Sequence, residues 1–303
     1  MIAASSQFTN RFPPIVLDCA CCEQRLADGA DYCPNCETPA SVSHSVATRV
    51  GEQNFISVLG ASNAGKTVYL GLLLDILTNG PEEFRGTATS AFCVDLQEQV
   101  ITALEQRRFP EKTAAEADTW NWLHCHIAMS AKKDTRHVDL ISPDFAGEAI
   151  AMEVNQAGMY PAIQCVVGKS SGLMILCDSM RVRDAGSSED LFALKLASYI
   201  AQMHGQGRNS GSGRGTEPSI AVVFTKCDGC PEAVDAPRDF AANNTPRLFE
   251  FCRRTFTRHA FFAASVAGSS GVLTDAAGRT SRVPFDVQPS GILEPVQWLV
   301  AGG

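Results

Sequence analysis

Eight residues with the spacing of a phosphate-binding loop run from Gly60 to Thr67, in the order Gly-Ala-Ser-Asn-Ala-Gly-Lys-Thr. Glycines in such a loop let backbone N–H groups wrap a triphosphate, while the lysine and threonine side chains serve the terminal phosphates and Mg²⁺. Residues 55–59 predict a buried strand before the loop, and residues 68–77 predict a helix after it. A plain glycine-rich turn would lack this context. The predicted nucleotide contacts here are Gly60, Asn63, Ala64, Gly65, Lys66, Thr67 and Val68, and Thr67 is also a predicted Mg²⁺ ligand.

A second motif, Thr-Lys-Cys-Asp at residues 225–228, follows a buried-strand pattern at residues 220–224. Its Asp228 carboxylate can accept hydrogen bonds from both N1–H and the 2-amino group of guanine, whereas adenine offers neither donor at that edge. An ordinary turn residue is the alternative interpretation of Asp228. A strand ending near Ala263 is followed by small residues similar to an element whose backbone contacts the guanine carbonyl. The predicted base contacts are Thr225, Lys226, Asp228, Ala264, Ser265 and Val266.

A third motif, Asp-x-x-Gly, is formed by Asp144 and Gly147 at the end of a predicted strand. A strand that ends in this motif resembles the Mg²⁺ and γ-phosphate sensor of GTPases. The resemblance implies that Asp144 holds Mg²⁺ through water and that the Gly147 N–H contacts the γ-phosphate. Asp139 lies within the same strand and is the rival for the metal role.

These three motifs occur in an order that resembles the translation-factor-related (TRAFAC) class of GTPases. Within this class the chain is most similar to the double-GTPase families of bacterial conflict and defence gene clusters. The resemblance covers residues 53–303 and includes a final helix near residues 289–300, which packs behind the guanine pocket in such proteins. It implies a P-loop GTPase fold, GTP or GDP as the ligand and Mg²⁺ as a cofactor.

The resemblance also implies two switch regions. A threonine before the second strand should complete the Mg²⁺ shell, and Thr113 is the candidate, with Thr87 and Thr89 as alternatives. An inserted helix at residues 95–107 precedes this threonine. Residues 149–170 follow the Asp-x-x-Gly motif and are expected to be the mobile second switch.

Glu148 occupies the position at which Ras-like enzymes carry a glutamine that orients the attacking water. A carboxylate can also orient water, but its negative charge beside a phosphate predicts slow unaided hydrolysis. The neutralising arginine is expected from a partner protein or from Arg107 or Arg108, which also fit solvated positions at a helix end. The predicted catalytic residues are Lys66, Glu148 and Thr113.

Two Cys-x2-Cys pairs near the start of the chain predict a structural zinc ribbon, because four thiolates on tight turns suit tetrahedral Zn²⁺. Cys21 lies inside the first pair and is a competing ligand. The predicted zinc ligands are Cys19, Cys22, Cys33 and Cys36.

Other residues that bind metals elsewhere have simpler interpretations here. His124 and His126 alternate along a predicted strand and fit a polar sheet face better than a metal site. Cys227 and Cys230 could form a redox pair or a second metal site, although incidental placement is favoured.

The composition is that of a globular protein, with 45% hydrophobic residues in 303. The net charge of −8 argues against nonspecific binding to nucleic acid or anionic membranes. No apolar run reaches the length of a membrane span, and residues 1–10 lack the features of a secretory signal, so a cytoplasmic location is expected.

Alternating strand and helix patterns predict a doubly wound α/β fold with a mostly parallel sheet and one antiparallel edge strand. The antiparallel pairing comes from a hairpin, residues 120–129 and the strand from His137. Ser187 and Asp190 have the spacing of a capping box that opens a helix. The predicted organisation is a tail (1–17), a zinc ribbon (18–39), a linker (40–52) and a P-loop GTPase domain (53–303).

These observations predict a GTP-binding molecular switch with slow Mg²⁺-dependent hydrolysis. Protein partners would bind through the switch regions and the zinc ribbon, in a multi-protein system of the conflict or defence type. The alternatives are an adaptor that binds guanine nucleotide without hydrolysis and, less favoured, an ATPase.

Overall fold

The computed structural model describes residues 17–49, 53–81, 83–110, 120–131, 134–209, 217–274, 278 and 280–302. Within these ranges no helix combines the length and the apolar character needed to cross a membrane. Thr113 lies outside the described residues, as do most of the predicted tail and residues 50–52 of the predicted linker.

The centre of the protein is a seven-stranded sheet with the order β2-β3-β4-β1-β5-β6-β7. Among the described strands of this sheet, β3 alone runs in the direction opposite to the other six. This confirms the predicted mostly parallel fold with antiparallel pairing at one side. The strands are β1 (Phe55–Gly60), β2 (Phe84–Ala88), β3 (Trp122–Ala131), β4 (Asp134–Pro143), β5 (Gly172–Asp178), β6 (Ser219–Thr225) and β7 (His259–Ala263).

The outermost strand, β2, is absent from the sequence prediction. Its sequence, Phe-Arg-Gly-Thr-Ala, has little β-forming character apart from the phenylalanine. Hydrogen bonds to β3 hold it in place, with Gly86 opposite Ile127. Strand β2 therefore depends on its pairing with β3 more than on the β propensity of its own residues.

Helices cover both faces of the sheet, because successive strand residues point to opposite sides. Val222 packs into the core on one face of the sheet, beneath the helices at residues 147–155, 161–169, 187–209 and 246–255. Val223 packs into the core on the other face, beneath the helices at residues 66–79, 91–105 and 294–301. The helices are α1 (Ala40–Ala47), α2 (Lys66–Asn79), α3 (Ala91–Glu105), α4 (Gly147–Asn155), α5 (Pro161–Lys169), α6 (Ser179–Ala185), α7 (Ser187–Asn209), α8 (Pro231–Asp235), α9 (Pro237–Asn244), α10 (Pro246–Thr255) and α11 (Glu294–Ala301).

The predicted linker begins with a helix rather than an irregular segment. In α1, Val42 and Val46 are buried, and the Ser43 hydroxyl accepts a hydrogen bond from the N–H of Ala20 in the cysteine-rich segment. The sequence Ala-Ser-Val-Ser-His-Ser has low helix propensity. Packing of its apolar face against neighbouring segments therefore stabilises this helix.

The capping box predicted at the start of α7 is wrong. The Asp190 carboxylate instead accepts hydrogen bonds from the N–H groups of Arg247 and Leu248 and pairs with the Arg247 guanidinium. It therefore satisfies the first free N–H groups of α10, a helix distant in sequence.

A two-stranded hairpin, β8 (Ser265–Thr274) and β9 (Thr280–Ser290), follows β7 where the sequence predicts only a short turn. The run Gly-Ser-Ser-Gly at residues 268–271 resembles a loop, which explains the error. β9 also occupies residues 289 and 290, so the final helix is shorter than predicted and begins at Glu294.

Candidate nucleotide site and zinc ribbon

The predicted phosphate-binding loop connects β1 to α2 at the carboxyl edge of the sheet. Asn63 and Gly65 have positive φ angles of 65° and 79°, so the chain turns sharply and its N–H groups can face one centre. A side chain on Gly60 would have its Cβ 3.0 Å from the Leu176 carbonyl oxygen of β5. This close approach explains why the position carries glycine.

Lys66 is buried at the N-terminus of α2. Its amino group donates to the carbonyl oxygen of Phe145, and its Nζ lies 3.6 Å from an Asp144 carboxylate oxygen. Burial lowers the pKa of Lys66 to about 8, although the neighbouring Asp144 opposes this shift. The lysine is thus held by protein groups at the position where terminal phosphates would lie.

The Asp-x-x-Gly segment packs directly on the loop. A Cβ at Gly147 would overlap the backbone of Ser62 and lie 2.5 Å from the carbonyl carbon of Ala61. The Ser62 hydroxyl donates to a Glu148 carboxylate oxygen at 2.8 Å. The region predicted to sense the γ-phosphate therefore contacts the phosphate loop itself.

The second predicted switch, residues 149–170, consists of most of α4, the turn after it, and α5. Fully buried Glu153 accepts hydrogen bonds from the Gly158 and Tyr160 N–H groups of that turn and from the Tyr199 hydroxyl. The mobility expected of this segment stays a prediction.

The predicted guanine-reading motif lies beside the predicted phosphate loop. The Thr225 hydroxyl donates to the Ala64 carbonyl oxygen at 2.7 Å, and Lys226 Nζ lies 2.6 Å from an Asp178 carboxylate oxygen at the end of β5. Asp228 is the middle residue of a 3-10 turn, Cys227–Gly229, shortly after β6, and its carboxylate is only 6% exposed. Parallel strands end at the same edge, which is why distant motifs meet here.

Two residues of the hairpin hold Asp228, and no sequence motif indicates either of them. The carboxylate accepts a hydrogen bond from the Ser270 hydroxyl and lies 3.2 Å from the Arg282 guanidinium. An arginine in an exposed hairpin gives no sequence signal that it faces a carboxylate 54 residues earlier.

The motifs share one cavity of about 720 Å³. Asp139, the rival for the metal role, lies elsewhere. It pairs with Phe55 at the start of β1, about 16 Å along the strand from the loop. The predicted residues that line the cavity are Gly60, Asn63, Ala64, Gly65, Lys66, Thr67, Val68, Asp144, Gly147, Glu148, Thr225, Lys226, Asp228, Ala264 and Val266.

Asp139 belongs to a separate polar cluster. It accepts a hydrogen bond from fully buried His124 at 2.9 Å and pairs with Arg49 at 2.5 Å. Burial acts to raise the pKa of Asp139, but the hydrogen bonds from the histidines and the charge of Arg49 outweigh burial and hold that pKa well below the ordinary value. His126 lies 3.6 Å away. The structure therefore uses both histidines in a structural network, as the simpler interpretation predicts.

Several predicted alternatives, and one of the predicted nucleotide contacts, are not among the residues that line the cavity. Thr87 pairs with His126 across β2 and β3, and Thr89 bonds to His124. Arg107 is exposed, and neither it nor Arg108 is among the cavity residues, although the next two residues of the chain, 109 and 110, line the wall. Ser265 is not part of the lining, since its hydroxyl donates to the Ala267 carbonyl.

The four predicted zinc ligands form one cluster, with all Sγ atoms within 4.8 Å of one another. The closest pairs are Cys22–Cys33 at 3.4 Å and Cys19–Cys36 at 3.5 Å. Tetrahedral Zn²⁺ with Zn–S bonds of about 2.3 Å needs S···S distances of about 3.8 Å, so the thiols fit this ion. Cys21 is outside the cluster, and burial raises the pKa of its thiol.

The ribbon packs against the main domain. Lys169 at the end of α5 forms an ion pair with Glu23 at 2.7 Å, and the Asn35 amide lies 3.9 Å from the Cys165 sulfur. Buried residues of the ribbon and of α5 belong to one hydrophobic core. The ribbon is therefore attached to the helix that ends the predicted second switch.

Cys227 and Cys230 are both free and buried. Burial raises the pKa of Cys227 to about 11, and its thiol donates to the Phe224 carbonyl. A buried thiol with a raised pKa is a poor nucleophile and a poor redox group. Incidental placement, the favoured interpretation, agrees with this geometry.

Comparison with known proteins identifies a family. Residues 54–277 match the profile of Double-GTPase 2. No curated protein matches the chain. Similar solved structures include nucleolar GTP-binding protein 1 of Plasmodium falciparum (9% identity, 72% of this chain and 79% of that chain, TM-score 0.37). Another is the signal recognition particle receptor SRb-GTP/SRX complex of Chaetomium thermophilum (16% identity, 76% and 95%, TM-score 0.36).

Proposed function

Because the chain belongs to the Double-GTPase 2 family, we propose that it is a molecular switch that binds GTP and hydrolyses it slowly with Mg²⁺. The observation that carries the proposal is the shared cavity, with Lys66 and Asp228 both in its wall. The hydrogen bond from Thr225 to Ala64 joins the two halves. A ligand with a triphosphate and the donor edge of guanine satisfies both at once.

A Mg²⁺ ion fits the oxygen donors at the phosphate end. Asp144 Oδ1 is buried and accepts no hydrogen bond from any residue that the structure describes. Thr67 lines the same cavity, and hard oxygen ligands of this kind suit Mg²⁺ bound with a nucleotide. Thr67 and Asp144 would hold the ion together with Thr113, and the ion would neutralise charge on the phosphates.

Binding of GTP would exchange protein contacts for phosphate contacts. The Lys66 amino group would leave the Phe145 carbonyl, and the Gly147 N–H would face the γ-phosphate. Glu148 would orient the attacking water, because it already hydrogen bonds to the phosphate loop. Loss of the γ-phosphate would release the Thr113 and Gly147 regions, as in other nucleotide switches.

We further propose that partner proteins bind the switch regions and the outer face of the zinc ribbon. Contact between the ribbon and α5 supports this, since a partner on the ribbon would adjoin the last helix of the predicted second switch. A multi-protein system of the conflict or defence type, located in the cytoplasm and involving neither nucleic acid nor membrane, is the expected setting.

Calorimetry with GTP, GDP and ATP tests the ligand. We expect the wild type to bind guanine nucleotides more tightly than ATP, and Asp228→Ala to lose that preference. Tighter binding of ATP would favour the ATPase alternative.

Phosphate release at saturating GTP tests the reaction. We expect the wild type to exceed Lys66→Ala, and a rate equal to that of the variant would favour the non-hydrolysing adaptor.

A further inference from the structure

An arginine that the motif analysis does not include lies beside the phosphate loop. Arg181 is in the first turn of α6, directly after β5. Its guanidinium Nη1 lies 3.4 Å from the carbonyl oxygen of Ser62, and its Nη2 pairs with the Glu189 carboxylate. Its side chain lines the cavity and is 47% exposed, so it has room to reorient toward a ligand.

The backbone of Arg181 is anchored to the guanine-reading half of the cavity. Asp178 accepts hydrogen bonds from the N–H groups of Met180 at 3.0 Å and Arg181 at 3.2 Å, which caps α6. The other oxygen of this carboxylate lies 2.6 Å from Lys226 Nζ. One buried carboxylate therefore positions both the base-contacting lysine and the arginine.

Two opposite charges flank the same residue of the loop. Ser62 contacts the Arg181 guanidinium through its carbonyl oxygen and the Glu148 carboxylate through its hydroxyl. A carboxylate that orients water increases the negative charge around the γ-phosphate. A guanidinium near the backbone of the same residue offsets that charge and offers planar paired donors for phosphate oxygens.

The cavity wall has three other cationic side chains among the described residues, and each of them already has another place in the site. Lys226 pairs with Asp178, and Arg282 pairs with Asp228 at the base end. Lys66 is part of the loop itself. Among the described residues of the wall, Arg181 is the arginine at the phosphate end.

We propose that Arg181 is a catalytic residue supplied in cis, which contacts the γ-phosphate of GTP during hydrolysis. This inference rests on the GTPase function proposed above.

In the reaction, the water oxygen forms a bond to the γ-phosphorus while the bond from that phosphorus to the β–γ bridging oxygen breaks. The electron pair of the broken bond stays on GDP, and a water proton passes to the released phosphate. Arg181 stabilises the negative charge that develops on the phosphate oxygens in the transition state.

Single-turnover hydrolysis by the full chain tests the proposal, with GTP affinity measured in parallel. We expect Arg181→Ala to lower the hydrolysis rate on the order of a thousandfold, with GTP affinity within about threefold of the wild type. Arg181→Lys should also be slow, because an ammonium lacks the paired donors. Arg253→Ala is the matched control, since Arg253 is an exposed arginine paired with Glu250 on α10.

The outcomes separate this inference from the proposed function. A wild type faster than Lys66→Ala, together with an unimpaired Arg181→Ala, would overturn the role of Arg181 alone. A wild type no faster than Lys66→Ala would overturn both. Failure of Arg181→Ala to bind GTP would also overturn the inference, because the residue would then serve binding or folding.

Discussion

Raising the pH perturbs the phosphate end of the cavity at one defined group. Burial lowers the pKa of Lys66 to about 8 in the free protein. A bound triphosphate would raise this pKa again, because nearby negative charge favours the ammonium form. The free protein would then take up a proton on binding. Lys66 would be about nine-tenths charged at pH 7 and one-tenth charged at pH 9, so linkage predicts about tenfold weaker binding at pH 9.

Titration with a fluorescent, non-hydrolysable GTP analogue at pH 7, 8 and 9 measures this effect. Calorimetry in two buffers with different ionisation heats counts the protons taken up. Lys66→Arg is the control, because its guanidinium stays charged throughout this pH range. The pH dependence of its nucleotide affinity therefore reports the titration of guanine and of other protein groups. A wild-type affinity that follows the same pH profile as Lys66→Arg would refute the argument that burial displaces the pKa of this lysine.

Three further predictions concern other parts of the molecule. Cys33→Ser should lose zinc and lower the melting temperature, because the ribbon shares a core with α5. Cys21→Ser should keep the metal. Metal analysis and thermal unfolding of both variants test these two expectations. Arg282→Ala should tighten GDP binding about fivefold, because it removes a cation that guanine must displace from Asp228. The fivefold figure corresponds to the roughly 1 kcal/mol that a partly exposed ion pair contributes. Weaker binding of GDP in a fluorescence titration would contradict this prediction. Gly147→Ala should destabilise the free protein by about 1–3 kcal/mol in urea unfolding, because a Cβ overlaps the phosphate loop. Gly168→Ala has open space in α5 and should be neutral or stabilising by about 0.5–1 kcal/mol.

Local patterns predicted the parts of the fold that depend on near neighbours. The strand before the phosphate loop and the helix after it occur where hydrophobic patterning places them. Leu96, Val100 and Leu104 are buried along one face of α3, as their spacing by four indicates. These features could be read from sequence because the period of burial is encoded within the segment itself.

Features stabilised by distant residues were missed or wrong. Asp190 has the spacing of a local cap, but it binds the N–H groups that begin α10. The β8–β9 hairpin has weak patterning because much of it is exposed, with Val272 at 67% and Leu273 at 53%. In each case the stabilising partner lies many residues away, where a local window carries no information about it.

The sequence alone determined which chemistry the chain carries: a lysine among glycines for phosphate, a carboxylate that can read guanine, and four thiols spaced for zinc. Tertiary structure decided which of several candidates stand at the site. It places Asp144 in the cavity wall, and it places Asp139 beside the start of β1, at the end of the strands that lies away from the cavity. It also brought Arg181 and Arg282 to the cavity wall, which no motif indicated. The physical reason is that residue types fix which bonds are available, whereas strand order and register fix which groups come within bonding distance.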